Sequence, residues 1–201
     1  MKKRLPILLF AFVAALTSCK KDVDAGGDAS ALYGDWKFTG LKAKTVADVS
    51  TTAGGATDRA VTTTQYTSIN NSGVIRFSAG KAETTELGYT TQGSAIVKIY
   101  SGGTTDEFTT PFNYTVPKTS SSSSFNAVGS DSLYFSGGGM VKMPGSTGEV
   151  VPSAPGGAKY SIAGTKLTMT IQASAVTNQT AQGMTVKSTV SVNSEMTFEK
   201  Q

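Results

Sequence analysis

Between residues 166 and 199 the chain alternates apolar and polar side chains with period two. Met184, Val186, Val190, Val192, Met196 and Phe198 occupy even positions, interrupted only by Ser188 and Ser194. The odd positions between them hold Thr185, Lys187, Thr189, Ser191, Asn193, Glu195, Thr197 and Glu199. Just upstream, Leu167, Met169, Ile171, Ala173 and Ala175 alternate with Lys166, Thr168, Thr170, Gln172 and Ser174. A helix cannot place such a pattern on one face, whereas an extended strand must, so each run has one buried and one wet side. The polar stretch 177–183 between them reads as a hairpin loop. Strands this long bend and coil, as they do in barrels and strongly twisted sandwiches.

Shorter strand signals occur at 36–44, 61–69, 74–78, 95–100, 108–116, 132–136 and 160–163, separated by Gly, Ser, Thr and Asn. Arg76 between Ile75 and Phe77 turns those two inward, and Lys98 does the same for Val97 and Ile99. No segment beyond the first residues shows a helical period, so the expected class is all-β. Two segments resist a regular ladder and are expected to be long loops. One is the serine run Ser120 to Ser124 after Pro117, and the other is Gly137 to Gly157, with Pro144, Pro152 and Pro155.

The chain begins Met1-Lys2-Lys3-Arg4, continues with an apolar stretch from Leu5 to Leu16, and then reads Leu16-Thr17-Ser18-Cys19. A dozen apolar residues suit a signal-peptide core and fall short of the ~20 that a permanent spanning helix needs. Together with Cys19, the only cysteine, the segment resembles the lipobox of bacterial lipoproteins. That resemblance implies cleavage ahead of Cys19, acylation of its thiol and amine, and anchoring of the mature chain in a membrane through Cys19. Two or more acyl chains hold a protein stably, where one holds it only marginally. Lys20-Lys21-Asp22 resembles the charged signals that follow the acylated cysteine in surface-exposed lipoproteins of some Gram-negative bacteria. The implied location is the outer membrane, lipid-anchored, with the surface favoured over the periplasmic face. Residues 1–18 are then signal, 19–31 a lipidated tether too small and charged to order itself, and 32–201 the folded domain.

Loss of Lys2, Lys3 and Arg4 lowers the formal charge from +4 to +1, so the basic footprint of a nucleic-acid binder is absent. The chain holds no histidine, which removes the commonest general base and the commonest transition-metal ligand. With Cys19 acylated there is no thiol nucleophile and no disulfide, so burial and strand pairing must carry stability. Carboxylates remain, with Asp35, Asp106, Glu107, Asp131 and Glu149 as candidates for an acid/base pair. None sits in a recognisable motif, and the three-residue spacing of Glu83 and Glu86 puts that pair on opposite faces of a strand. Asp22, Asp24 and Asp28 fail as a calcium loop because Tyr33 stands where the bidentate glutamate belongs. The reading is therefore non-catalytic, with no cofactor and no metal. Asp131-Ser132-Leu133 resembles the O-glycosylation signal of some Gram-negative envelopes, which makes Ser132 a candidate for modification.

Leu32-Tyr33-Gly34-Asp35-Trp36-Lys37-Phe38 puts a Gly-x-Trp on the first strand, as lipocalins do. Gly73-Val74-Ile75-Arg76-Phe77, the segment from Lys159 to Met169 and the ending Met196-Thr197-Phe198-Glu199-Lys200 are similar to the short lipocalin-like domains of bacterial lipoproteins. The resemblance implies an antiparallel up-and-down calycin barrel of about eight strands. The length of the loops around Ser120 and Pro144 suggests incomplete closure. In lipocalins a basic residue of the last strand packs over the tryptophan. Gly34 and Trp36 match, and Lys200 stands as the shorter-reaching counterpart of that basic residue. The expected lining is Trp36, Phe38, Ile75, Phe77, Val97, Ile99, Leu167, Met169, Ile171, Val190 and Met196. The leading reading is binding by the barrel, with a surface module as the alternative. A hollow barrel would bind a small apolar molecule or an envelope component, whereas a filled one would be a structural or adhesive surface module touching a protein or glycan through its long loops.

Overall fold

The computed structural model describes residues 27–144, 150–151 and 155–201, and over these the chain is all-β apart from a 3-10 turn at Ser30–Leu32. The strands are β1 (Gly34–Ala53), β2 (Ala56–Ser78), β3 (Lys81–Ser101), β4 (Thr104–Pro111), β5 (Thr115–Val128), β6 (Ser132–Phe135), β7 (Met143–Pro144), β8 (Val150–Val151), β9 (Gly156–Ala163), β10 (Lys166–Ala181) and β11 (Met184–Lys200). Nine of them form one sheet in the order β2-β1-β11-β10-β9-β6-β5-β3-β4, and β2 also pairs with β3. Every pairing is antiparallel, and neighbours along the chain are mostly neighbours in the sheet, which makes the topology up-and-down.

The β2–β3 pairing returns the sheet on itself, with β4 as a branch. Eight strands thus pair in a ring, whose hydrogen bonds are not spread evenly round an axis, so it is not called a closed barrel. β6 meets β5 and β9 over four residue pairs each, whereas β1 follows β11 from Trp36↔Lys200 to Ala53↔Met184. The long strands therefore outrun the short ones. At one end the sheet curls round a core; at the other, the far halves of β10, β11, β1, β2 and β3, joined by β4, continue as an open sheet. Tight glycine turns close the tips of this extension. Gly54-Gly55 and Gly102-Gly103 have positive φ at both positions, as does Gln182-Gly183, which is the mirror-image turn whose twist matches paired strands.

Trp36, Phe38, Phe77, Phe198, Leu32, Ile75, Leu133 and Leu167 are fully buried at the centre of the curled end. Bulges keep the correct residues inward. In β1 the register shifts between Phe38 and Gly40, so the inward set passes from Trp36 and Phe38 to Leu41 and Ala43. In β2 it shifts across Ile69 to Val74, where Asn70 and Gly73 take positive φ. A Cβ at Gly73 would overlap the Leu87 backbone.

Several expected boundaries move. The serine run is no loop: Ser120 to Ser124 lies within β5 and pairs with β3. Small side chains suit it there, because Ser121 meets Thr84 (Oγ to Oγ1 2.9 Å) and Ser123 is buried where Gly137 approaches. The segment expected as a loop from Gly137 to Gly157 is partly ordered. Met140 and Val141 are buried, Met143–Pro144 pairs with Val150–Val151, and Gly156–Gly157 begins β9. The loop expected at 177–183 shrinks to Gln182-Gly183, since β10 runs on to Ala181. Glu83 and Glu86 both end up on the outer side, beside Arg76 and Lys118, because Glu86 takes positive φ at a bulge. Of the expected tether, Gly27 to Ala31 packs on the body: Ala29 is buried, and the Tyr160 hydroxyl donates to the Asp28 carbonyl at 3.5 Å.

Candidate functional site

Trp36 is held at the base of the curled end by contacts along its own strand. Its indole Nε1 donates to the Leu32 carbonyl at 2.6 Å, a bond made possible by the 3-10 turn just before β1. Lys200, opposite Trp36 in the β1–β11 register, places Nζ 4.4 Å from the ring centroid and donates to the Tyr33 carbonyl at 2.6 Å. Gly34, at φ 113°, leaves the space the lysine uses: a Cβ there would lie 3.2 Å from Nζ. The fold thus brings Gly34, Trp36 and Lys200 together, and a cation over an indole face is attractive.

The expected lining divides in two. Trp36, Phe38, Ile75, Phe77, Leu167, Met169 and Met196 are buried in the core and Ile171 packs against it. Val97, Ile99 and Val190 share that inward-continuing face but lie in the open extension, where Val97 and Val190 are half-buried and Ile99 is exposed. The register joins them in cross-strand rows, Ala175, Val190, Ala47, Thr62, Val97 and Phe108 forming one.

The core leaves almost no room. Phe38 meets Tyr89 and Phe198 at centroid distances of 5.8 and 5.5 Å, and Phe125 meets Phe77 and Phe135. Among the described residues the core encloses a void of about 20 Å³ bounded by Ile75, Phe135, Met140, Met169, Met196 and Phe198. That is space for about one water molecule, against the hundreds of cubic ångströms of a ligand pocket. The Gly137 to Val141 segment completes the seal. It is fixed by the Tyr89 hydroxyl, which donates to the Lys142 carbonyl at 2.6 Å. Burial pushes the Tyr89 phenol strongly upward and that of Tyr66 up to about 12.

The larger hollows lie outside. One of about 610 Å³ is lined by Lys42, Lys44, Gln65, Gln92, Asn193 and Glu195 where the long strands leave the curled end. The outward face as a whole is polar and charged: Lys37, Lys42, Arg76, Lys166, Glu195 and Glu199 are exposed between inward apolar neighbours. A barrel embedded in lipid needs the reverse, an apolar band outside.

Among the described residues the candidate carboxylates do not converge on a pocket. Asp35 accepts two bonds from Arg76, at 2.6 and 2.7 Å, and the hydrogen-bonded guanidinium holds its pKa below the ordinary value. Glu107 pairs with Lys98 at 2.8 Å on β4, next to Asp106, and Asp131 accepts the Ser132 hydroxyl at 2.9 Å. Ser132 is half-buried at the start of β6. Among the described residues no group of three His, Cys, Asp or Glu could hold a metal. Cys19 and Glu149 lie outside the described residues. Strand spacing does not announce the open extension, and its one signal is the uncharged polar stretch past Ala175, where the apolar alternation of β10 stops.

No family model matches this chain, and no curated protein does. Among solved structures there is a likeness to Ail, the attachment invasion locus protein of Yersinia pestis, in complex with the heparin analogue sucrose octasulfate. It covers 82% of this chain and 99% of that one at 7% identity, with a TM-score of 0.17.

Proposed function

We propose that this protein is a non-catalytic interaction module of the bacterial cell envelope, anchored through an acylated Cys19 and working from its outer surfaces. The observation that carries the reading is the filled interior. Among the described residues, side chains and the Gly137 to Val141 segment enclose a void of about 20 Å³, which supports the interaction module over the small-molecule carrier. The paired state of Asp35 and Glu107 supports a surface without acid/base work. The polar exterior supports a domain that stands off the membrane on its tether while the lipid alone enters the bilayer. The outer membrane, its surface side favoured, is the proposed site, and a protein or glycan of the envelope the proposed partner class.

Native mass spectra of residues 20–201, purified without detergent, test the filled interior. The reading expects the bare chain mass before and after mild denaturation, and no thermal shift with fatty acids. A small molecule released on unfolding would restore the carrier. Anchoring is tested separately in the producing cell: an acyl-chain label should enter the full-length protein and be lost in Cys19→Ala, and a label retained in that variant would refute the anchor.

A further inference from the structure

The sheet has two free edges in its open half, and they are built differently. β4 closes one side with Thr104–Pro111, which includes Asp106, Glu107 and Pro111. Charge and proline are the usual means of keeping an edge from pairing. On the other side β9 accompanies β10 only from Lys166 to Thr170. From Ile171 to Ala181 the outer side of β10 has no backbone partner among the described residues. That stretch reads Ile-Gln-Ala-Ser-Ala-Val-Thr-Asn-Gln-Thr-Ala, with no charge, no proline and no glycine.

Turn geometry says which groups face outward. Gly164-Thr165 and Gln182-Gly183 are two-residue turns, and such turns are closed by a pair that exchanges both backbone bonds. Lys166 therefore directs its backbone at β9 and Ala181 directs its own at β11. By alternation Gln172, Ser174, Val176, Asn178 and Thr180 present N–H and C=O to the open edge.

We propose that this edge binds a second copy of the chain, β10 against β10, antiparallel about a two-fold axis at Val176. The stretch is its own complement. Val176 opposes Val176, Ser174 opposes Asn178 and Gln172 opposes Thr180, so every outward N–H meets an outward carbonyl and no like charges face each other. Val176, 57% exposed and the most exposed large apolar side chain of the described residues, lies at the centre and is covered by its own counterpart. A charged partner strand would find no counter-charge along this edge, whereas a second copy brings no charge and pairs every outward backbone group. Two-fold closure also ends the assembly at a dimer instead of a fibre, since the β4 edges are guarded.

The test uses residues 20–201, which keep every strand and contain no cysteine. Opposed residues of a hydrogen-bonded antiparallel pair have Cα atoms about 5.5 Å apart, within disulfide reach. Under mild oxidation Val176→Cys should give a covalent dimer and Asn178→Cys, which opposes residue 174, should not. Ser174→Pro removes an outward N–H and no bond to β11, so the variant should fold. Sedimentation should show its dimer weakened about 30-fold, because symmetry loses the bond twice. Hydrogen exchange of the wild type should show the even amides 172–180 slowing as concentration rises. A wild type that stays monomeric, equal cross-linking at 176 and 178, or slow even amides in a monomer would each overturn the proposal. The last would mean that the chain covers its own edge.

Discussion

Trp36 shows how much one side chain can organise. It is the single tryptophan, fully buried, hydrogen-bonded through its indole to Leu32 and covered by Lys200. Replacing it with alanine opens a large cavity at the base of the core and should cost about 3–5 kcal/mol, read as a lowered denaturant midpoint. Lys200→Met keeps the packing and loses the cation, so it should cost only about 0.5–1 kcal/mol; equal losses in the two variants would contradict this division. Tyr66 supplies a pH test. Its folded pKa, about 12, lies above the ordinary 10.0, so between those values the unfolded chain releases a proton that the folded chain keeps. Stability is full below pH 10 and should fall as pH rises to 12, by about 1.4 kcal/mol per unit from this residue. Tyr66→Phe should lessen the slope by that amount and leave the part that the buried Tyr89 contributes in the same sense, and an unchanged slope would assign it elsewhere.

At the scale of the element, the strands with unbroken alternation were legible and those with bulges were not. β11 and the first half of β10 keep one phase throughout, so Leu167, Met169, Met196 and Phe198 could be placed inward from spacing alone. β2 changes phase at Asn70 to Gly73, and its two halves read as separate strands. In β3 the bulge at Glu86 hides the pattern, because Ala82 and Thr84 are inward on even numbers while Leu87 and Tyr89 are inward on odd ones. β5 is hidden for another reason: serine suits a turn by composition, yet here the buried Ser123 tolerates only a small side chain because Gly137 lies against it. Ser123→Leu should therefore overpack the interior, cost about 1–3 kcal/mol and speed hydrogen exchange in 137–142. Gly93→Ala carries a related cost, since its Cβ would overlap the Gln65 carbonyl in the β2–β3 ladder. A fully stable Gly93→Ala protein would mean that this close approach does not exist in solution.

For the whole molecule, the all-β class and the up-and-down order follow from strand spacing. Whether the interior is hollow does not, because it depends on a loop segment folding inward, and neither periodicity nor composition marks Gly137 to Val141 as core. The open extension is equally hard to read, since β11 keeps its alternation through it and spacing does not tell that the apolar face there lies outside the core. These two features decide the functional reading, one by closing the interior and the other by exposing a broad sheet. The methionines report on both. With residue 1 removed, Met140, Met169 and Met196 line the inner void, Met143 packs against the core half-buried and Met184 sits exposed at a tip of the extension. Methionine-methyl NMR of residues 20–201 in the presence of a fatty acid is the direct measurement. The filled interior predicts dipolar contacts between the Met140 methyl and the Phe135 and Phe198 rings, with Met140, Met169 and Met196 unmoved by the fatty acid. Loss of those contacts, with the three inner methyls shifting together as fatty acid is added, would contradict it.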